Sequence, residues 1–208
     1  PYVVSLRGAD VPGFSEKYDT FYVFAKPLIR FLWKHARAVI PNSVGIMELA
    51  KKTCTKQSMY IIENGVDTIT FHPKNDNRPK DEVVFLSTSR LTPRKGIHHL
   101  IEAFALAVQY SRVPLKLRLI GEGEEWALLE TRVKELGIET QVEFLGRVEH
   151  TLLPQFYQQA HVFVLPSKNE GMSNATLEAL ASGLPLVVSG TGGMQELVTD
   201  GKNGLFID

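Results

Sequence analysis

The chain has 208 residues, which is enough for one large or two modest domains with a substantial buried core. Its 23 basic and 23 acidic residues balance, so no overall positive field attracts nucleic acid, and its single cysteine excludes an internal disulfide. No apolar run is long enough to span a bilayer and no signal peptide is visible, so we expect a cytoplasmic protein.

Short apolar runs alternate with helical segments along the whole chain. The predicted strands are Tyr2–Leu6, Ala38–Ile40, Met59–Ile62, Val83–Ser87, Leu115–Ile120, Val142–Phe144, Val162–Leu165, Leu186–Val188 and Leu205–Ile207. The predicted helices are Tyr18–His35, Val44–Lys52, Gly96–Gln109, Glu124–Leu136, Thr151–Gln159, Ala175–Ser182 and Gly193–Val198. Several strands are almost wholly apolar, as strands covered on both faces are. The alternation predicts parallel sheets with crossover helices, which is an α/β fold.

The polar stretch over residues 72–80, HPKNDNRPK, is the predicted linker. A new series of strands and helices follows it, so we predict one domain over residues 1–71 and a second over residues 72–208. The chain begins and ends in strand-like runs. We therefore expect a fragment of a longer protein, in which the first domain is incomplete and the second lacks its C-terminal end.

The first predicted helix carries a basic stripe. Lys26, Arg30, Lys34 and Arg37 recur at helical spacing among aromatic and aliphatic residues, with no acidic residue between them. Two interpretations stay open. The stripe could seat the helix on an anionic membrane surface, at the inner face of the membrane, or the helix could pack on its own sheet with a solvated basic edge.

Two glycine-containing turns flank the later motifs. Asn64-Gly65-Val66-Asp67 is predicted as a turn, with a hinge as the alternative. Gly190, Gly192 and Gly193 are predicted to form a strand-to-helix turn that lets the backbone approach a site closely.

Arg90 and Lys95 follow a buried strand and precede a helix. In α/β sheets, ligands bind outside the carboxyl ends of the strands. Two cations at that edge could neutralise a diphosphate, arginine through its fork and lysine as a point charge. Taken alone, the pair is more typical of a solvated loop, but in combination with Glu170 and Glu178 downstream the ligand-binding interpretation is favoured.

The turn Gly121-Glu122-Gly123 also follows a predicted strand. It resembles the opening of a dinucleotide fingerprint, but Trp126 stands where the third glycine belongs, and three nearby glutamates would repel a pyrophosphate. We therefore expect no NAD binding there. Gly121 is predicted to form a tight turn that borders a bound nucleotide.

Glu170 and Glu178 lie in the stretch VFVLPSKNEGMSNATLEALASG, where a buried strand leads through a loop into a helix that begins near Ser173 or Asn174. Glu170 lies ahead of the helix and Glu178 about one turn inside it. A carboxylate accepts hydrogen bonds from paired hydroxyls, and a helix N-terminus attracts phosphate. This segment is therefore predicted to hold a sugar, a diphosphate and a ribose.

Other chemistries find no support in the sequence. The histidines have no metal-ligand spacing, and the serines form no nucleophile elbow. We expect no bound metal and no hydrolase activity.

With these motifs together, the sequence resembles the retaining GT-B glycosyltransferases of group 1, the glycogen-synthase-like family. The segments that carry the resemblance are IIENGVDTITFHP, STSRLTPRKGIHHLIEAF, LRLIGEGEE, VEFLGRV and VFVLPSKNEGMSNATLEALASGLPLVVSGTGGMQELVTDGKNGLFI. The resemblance implies two Rossmann-like domains and transfer of a sugar from a nucleotide-sugar donor with retained configuration. It implies no metal or other cofactor.

The resemblance also implies roles for single residues. Arg90 and Lys95 would bind the donor diphosphate and, with Glu170, act as catalytic residues. Glu178 would bind the ribose and Glu170 the donor sugar. The backbone around Gly171, Met172, Ser173 and Asn174 would assist in donor binding. Arg7 stands where the family usually has a histidine and would contribute to donor binding, with Asp10 nearby to meet an acceptor.

The expected acceptor is a carbohydrate or a lipid-linked molecule, in polysaccharide, lipopolysaccharide or glycolipid synthesis. A second interpretation is a non-catalytic subunit that keeps the fold and binds a nucleotide-sugar without turnover.

Overall fold

The computed structural model of the protein describes residues 1–55, 57–74 and 78–207. Its strands are β1 (Val3–Leu6), β2 (Ala38–Pro41), β3 (Val83–Thr88), β4 (Leu115–Ile120), β5 (Val142–Gly146), β6 (Val162–Leu165), β7 (Leu186–Ser189) and β8 (Gly204–Ile207). Its α-helices are α1 (Asp19–His35), α2 (Val44–Thr53), α3 (Ile97–Tyr110), α4 (Trp126–Glu135), α5 (Leu153–Gln159), α6 (Asn174–Ala181) and α7 (Met194–Leu197). Short 3-10 turns lie at Glu16–Tyr18, Pro93–Lys95 and His150–Leu152.

One predicted strand, Met59–Ile62, does not form. Met59 makes an isolated parallel bridge to Val39, and the amides of Tyr60 and Ile62 each donate to β2 carbonyls over 3.1 Å. The side chains of Tyr60 and Ile62 are exposed, so no burial drives the segment to extend the ladder. The prediction of a regular strand is wrong, and the segment is an irregular stretch of chain that is hydrogen-bonded to β2.

The chain folds into two compact units. The first comprises Pro1–Gly65, Asn169–Ser173 and Thr191–Leu197, and the second comprises the described residues of Val66–Lys168, Asn174–Gly190 and Val198–Asp208. The chain first passes from one unit to the other after Gly65, whereas the sequence predicted a boundary after residue 71. Residues 75–77 of the predicted linker lie outside the described residues. The assignment of the units to acceptor and donor domains stays a prediction.

The first unit contains a two-stranded parallel sheet, in which Val3 pairs with Ala38 and Leu6 with Pro41. Its core consists of Leu6, Val11, Phe14, Trp33, Ala36, Val39, Ile46 and Ala50. The Ser43 hydroxyl accepts a hydrogen bond from the Ile46 amide over 3.2 Å and so caps α2. This cap fixes the helix start directly after β2.

The second unit is built on a six-stranded parallel sheet with the order β5-β4-β3-β6-β7-β8. The chain first winds outward from β3 through β4 to β5 and then returns to β6 on the other side of β3. The strand order therefore reverses between β3 and β6, and in such sheets ligands bind in the crevice at the carboxyl ends of these strands. The main core of the unit lies between the sheet and helices α3 and α4.

Helix α1 carries its basic residues and its exposed phenylalanines on different faces. Lys26, Arg30 and Lys34 follow one another at spacings of four along one face. The exposed side chains of Phe21, Phe24, Leu28 and Phe31 share another face. An amphipathic helix at a membrane surface has basic residues on one face and aromatic residues on the other, so both interpretations of the basic stripe stay open. None of the helices within the described residues is long and apolar enough to cross a membrane.

Candidate functional site

A cavity of about 540 Å³ lies at the carboxyl ends of the strands of the second unit. It is lined by Thr88, Ser89, Arg90, Ile120, Gly121, Glu122, Arg147, Val148, Leu153, Ala175 and Glu178. Three predicted site residues, Arg90, Gly121 and Glu178, meet here although 88 positions separate the first from the last. The crevice expected from the strand order is thus present and carries charged groups of both signs.

The cationic side of this cavity includes a residue that sequence reasoning missed. Arg90 is exposed on the loop after β3, as predicted. Arg147 follows β5 and lines the same cavity. The motif VEFLGRV could have identified Arg147, because a cation directly after a strand lies at the same edge of the sheet as Arg90. Lys95 lies in the 3-10 turn before α3 and is not among the residues that line the cavity.

Glu178 is held by two donors from the neighbouring elements. It lies in α6 and is buried, with 8% exposure. The Tyr157 hydroxyl donates to Glu178 Oε2 over 2.8 Å, and His150 Nε2 lies 3.1 Å from Glu178 Oε1. Thr88 Oγ1 lies 2.8 Å from the same Tyr157 oxygen. The carboxylate therefore has a fixed orientation on the cavity wall.

Tyr157 is fully buried, and its hydroxyl stays protonated. Burial and then the negative charge of Glu178 raise the pKa of Tyr157 well above its usual range. The ring packs edge-on against Phe71, with centroids 5.7 Å apart, and Phe71 also packs against His150 at 5.3 Å. Both donors to Glu178 thus rest on the same buried phenyl ring.

Gly121 brings two loops of this site into contact. Its φ is +130°, and a Cβ there would lie 1.9 Å from the carbonyl oxygen of Ser89. The Gly121 amide donates to Gly146 O over 2.8 Å, and the Ser89 amide donates to Ile120 O over 2.9 Å. Only glycine allows the loops after β3 and β4 to lie this close.

The segment with Glu170 belongs to the first unit and is packed backbone against backbone. Glu170 is buried, with 8% exposure. A Cβ on Gly192 would lie 1.8 Å from Glu170 O, and a Cβ on Gly193 would lie 1.9 Å from Gly171 O. The Gly193 amide donates to Gly171 O over 2.8 Å. The predicted close approach at Gly192 and Gly193 is therefore present, and its partner is the Glu170 segment.

Two asparagine side chains also hold this segment. Asn64 Nδ2 donates to Met172 O over 3.0 Å, and Asn169 Nδ2 donates to Phe14 O over 3.0 Å. The turn predicted at Asn64-Gly65-Val66-Asp67 does not form there, because the chain turns only after Asp67, at residues 68–70. The Asn64 side-chain amide, which tethers a carbonyl 108 positions away, has a role that no local pattern reveals.

A second cavity, of about 510 Å³, lies within the first unit. It is lined by Gly13, Phe14, Val44, Gly45, Ile46, Glu48, Leu49, Lys52, Asn169, Glu170, Gly192, Gln195 and Glu196. The Glu196 carboxylate accepts hydrogen bonds from the Val44 amide over 2.9 Å and thereby occupies the start of α2. This contact joins α7 to the start of α2 at the cavity wall.

The remaining predicted site residues divide between the units. Met172 and Ser173 are buried in the first unit, and Asn174 begins α6 in the second. Arg7 is exposed at the end of β1, where its amide donates to Asp10 Oδ1 over 3.0 Å. The Arg7 carbonyl lies 2.7 Å from the position of a Cβ on Gly171. It is the backbone of Arg7 that packs against the Glu170 segment. Within the described ranges, no group of three or more potential ligand residues could hold a metal.

Sequence comparison decides the family. The model of the family described as "Glycosyl transferases group 1" matches residues 68–208. The chain belongs to this family. The lipopolysaccharide core biosynthesis glycosyltransferase LpsE of Rhizobium meliloti is 32% identical over 180 residues, which cover 85% of the chain and 51% of the relative. The chain thus spans about half the length of this curated relative.

Solved structures agree with the family. The Anabaena protein HepE in complex with UDP-glucose superposes with a TM-score of 0.83 at 26% identity, covering 100% of this chain and 58% of the other. Sucrose-phosphate synthase from Thermosynechococcus elongatus gives 0.80 at 28% identity, covering 89% and 48%. The parallel sheets and these neighbours confirm the predicted α/β fold of the GT-B class.

Proposed function

We propose that the protein is a glycosyltransferase that moves a sugar from a nucleotide-sugar donor to an acceptor with retention of configuration. The observation that carries the proposal is the cavity of the second unit, where Arg90 and Arg147 share a wall with the oriented carboxylate of Glu178. Binding of a nucleoside diphosphate requires cations for the phosphates and a hydrogen-bond acceptor for the ribose hydroxyls, and this cavity has both.

In this proposal the cations act on the leaving group. Cleavage of the bond between sugar and phosphate leaves negative charge on the departing nucleotide. Arg90 and Lys95 neutralise that charge, and Arg147 adds a third cation at the same edge of the sheet. Fixed protein cations can do this without a metal, so we propose that none is required.

Glu170 and the backbone of Gly171, Met172 and Ser173 bind the donor sugar. The tight packing against Gly192 and Gly193 supports this role, because a preorganised carboxylate and fixed amides lose little entropy on binding. The mechanism proposed is a front-side substitution, in which the acceptor hydroxyl attacks from the face that the diphosphate leaves, and no protein carboxylate acts as nucleophile.

The acceptor is proposed to be a carbohydrate or lipid-linked molecule, as in polysaccharide, lipopolysaccharide or glycolipid synthesis. The polar cavity of the first unit, with Glu48, Lys52 and Gln195 on its wall next to Glu170, is the candidate acceptor subsite. We further propose a cytoplasmic location, with any membrane contact peripheral. Vesicle binding that survives replacement of Lys26, Arg30 and Lys34 by Glu would contradict a membrane role for the basic stripe.

The deciding experiment uses the full-length protein and a panel of UDP-, GDP- and ADP-sugars, with binding and turnover measured separately. A transferase binds at least one donor and releases its nucleotide in the presence of acceptor extract. A non-catalytic subunit binds the donor and never turns it over. Absence of binding to every donor would overturn both interpretations.

Two variants test the assigned roles. Lys95→Ala should lower kcat by about 10²-fold or more, because a charge that stabilises the leaving group is lost. Glu178→Ala should weaken nucleotide affinity by about tenfold or more, because a hydrogen bond to a charged group is lost. The exposed residues Lys134 and Glu139, each replaced by Ala, are the matched controls. Unchanged nucleotide affinity in Glu178→Ala would contradict the ribose assignment.

A further inference from the structure

Both carboxylate oxygens of Glu178 already accept a hydrogen bond from the protein. Oε2 accepts from the Tyr157 hydroxyl at 2.8 Å, and Oε1 faces His150 Nε2 at 3.1 Å. A carboxylate oxygen offers about two lone-pair positions, so each oxygen keeps one position for a ligand. The two remaining positions have fixed directions, because the protein donors define the rotation of the carboxylate.

The hydrogen bonds at Tyr157 run in one direction. Tyr157 has a single hydroxyl proton, and its strongest acceptor is the Glu178 carboxylate rather than Ala175 O at 3.3 Å. Thr88 Oγ1, at 2.8 Å, is then the donor to Tyr157. The chain from Thr88 through Tyr157 to Glu178 is buried, where such polarised bonds strengthen one another.

The other oxygen of Glu178 is held by His150, a largely exposed residue. The His150 side chain is 69% exposed, whereas that of Glu178 is 11% exposed. The imidazole packs edge-on against Phe71. The Phe71 amide donates to Asp67 O over 2.9 Å and closes a turn. The Asp67 carboxylate accepts hydrogen bonds from the Ile69 amide and the Thr70 hydroxyl in the same turn. The turn that follows Asp67, the last residue of the NGVD motif, therefore carries the ring that supports both donors.

We propose that Tyr157 and His150 are positioning residues for Glu178. They orient its carboxylate so that it accepts one hydrogen bond from each of two adjacent ribose hydroxyls. This inference rests on the proposed binding of a nucleotide in the second unit. The inference predicts that the site binds ribonucleotides more tightly than 2′-deoxyribonucleotides. This preference should depend on Tyr157 and His150, which are expected to contact Glu178 and not the phosphates or the base.

The test compares UDP with 2′-deoxy-UDP, and the corresponding GDP and ADP pairs, by calorimetric titration of the full-length protein. In the unaltered protein we expect the ribonucleotide to bind about tenfold or more tightly than its deoxy counterpart. Tyr157→Phe should reduce this ratio severalfold, because the ribonucleotide loses orientation at two hydroxyls whereas the deoxynucleotide, which keeps only its 3′-hydroxyl, loses less affinity. A merely structural role would weaken both nucleotides equally.

Tyr22→Phe is the matched control, because Tyr22 is the other buried tyrosine of the described chain and donates to Ala9 O in the first unit. This variant should leave the ratio unchanged. Thr88→Val removes the donor to Tyr157 with little change in volume and should reproduce a smaller part of the Tyr157→Phe effect.

His150 provides a test that does not depend on the buried core, since its side chain is largely exposed. His150→Ala should lower the ratio, and His150→Gln, which keeps an N–H donor, should restore part of it. If Tyr157→Phe fails to fold, the His150 pair decides the question.

The outcomes separate the inference from the proposed function. If no nucleotide binds the unaltered protein, the proposed function falls and the inference falls with it. If ribonucleotides bind but the unaltered protein shows no preference over deoxynucleotides, the ribose assignment of Glu178 and the inference are overturned, whereas nucleotide binding itself stands. If the preference survives in both Tyr157→Phe and His150→Ala, only the inference is overturned.

Discussion

Glu170 and Glu178 are buried to the same extent but are held in different ways. Glu178 is oriented by side chains, through the hydroxyl of Tyr157 and the imidazole of His150. The Glu170 segment is fixed mainly through its backbone, which lies against Gly192 and Gly193 and is tethered by Asn64. Side-chain orientation can be changed one hydrogen bond at a time, whereas backbone packing fails when any atom is added.

This difference predicts two patterns of mutational sensitivity. Around Glu178, the damaging changes should be those that remove a polar group, and the effect should appear in nucleotide affinity. Around Glu170, the most damaging changes should be those that add volume, and the effect should appear in turnover, because the sugar-binding segment moves as a whole.

The largest effect is expected from Gly192→Ala. The new methyl group would lie 1.8 Å from Glu170 O, so the backbone of one segment must shift. A displacement of this size near reacting groups lowers kcat by about 10²-fold. Turnover of the best donor, with nucleotide affinity measured in parallel, checks the prediction.

Gly201→Ala is the matched control for this prediction. Gly201 has a φ of +71°, similar to the +54° of Gly192, but no heavy atom lies within 4 Å of its would-be Cβ. Both changes carry the strain of a left-handed residue, about 1 kcal/mol or more, and only Gly192→Ala adds the overlap. Equal kcat losses in the two variants would contradict the packing argument.

A smaller effect is expected from Asn64→Ala. The change removes the 3.0 Å hydrogen bond to Met172 O and loosens the Glu170 segment without adding volume. We expect kcat to fall by about fivefold to tenfold, since one neutral hydrogen bond contributes about 1 kcal/mol. Glu63→Ala, at the exposed neighbouring residue, is the control for a nonspecific disturbance of this segment. A loss confined to nucleotide affinity would argue against the proposed division of roles.

Most of the fold followed from local patterns. Apolar runs and their spacing give the strands and helices, because burial on a parallel sheet requires such runs. The failure at Met59–Ile62 has a physical cause, since an apolar run predicts a regular strand only when its side chains become buried.

The sequence predicted that Arg90, on a loop after a strand, and Glu178, near the start of α6, belong to one site, and both line the same cavity. What could not be predicted is the support around them, because it joins distant positions. Glu196 binds the Val44 amide across 152 positions, and Tyr157 reaches Glu178 from another helix. A single tyrosine or asparagine has no periodic signal, so its partner becomes known only from the folded chain.

A third carboxylate, that of Glu143 on β5, is held by cations and not by neutral donors. Its oxygens lie 3.1 Å from Lys116 Nζ and 2.9 Å from Arg118 Nε, both on β4. Partial burial opposes ionisation of Glu143, but the hydrogen bonds from Lys116 and Arg118 outweigh it and lower its pKa. Glu143 therefore stabilises the sheet in its charged form, whereas Glu178 is oriented by Tyr157 and His150 for a ligand.

The smallest predicted effect is the loss of stability in Glu143→Gln. Since the folded pKa is below the ordinary value of 4.5, the stabilisation is complete above that value and is lost as pH falls through the folded pKa. The side chain is 37% exposed, so water screens the pairs and the loss at pH 7 should be at most about 1 kcal/mol. Urea unfolding at pH 7 and at progressively lower pH measures it, with exposed Glu139→Gln as control. A stability difference that grew as the pH fell below 4.5 would contradict the sign of the shift, because a protonated Glu143 has no more attraction for Lys116 and Arg118 than glutamine has.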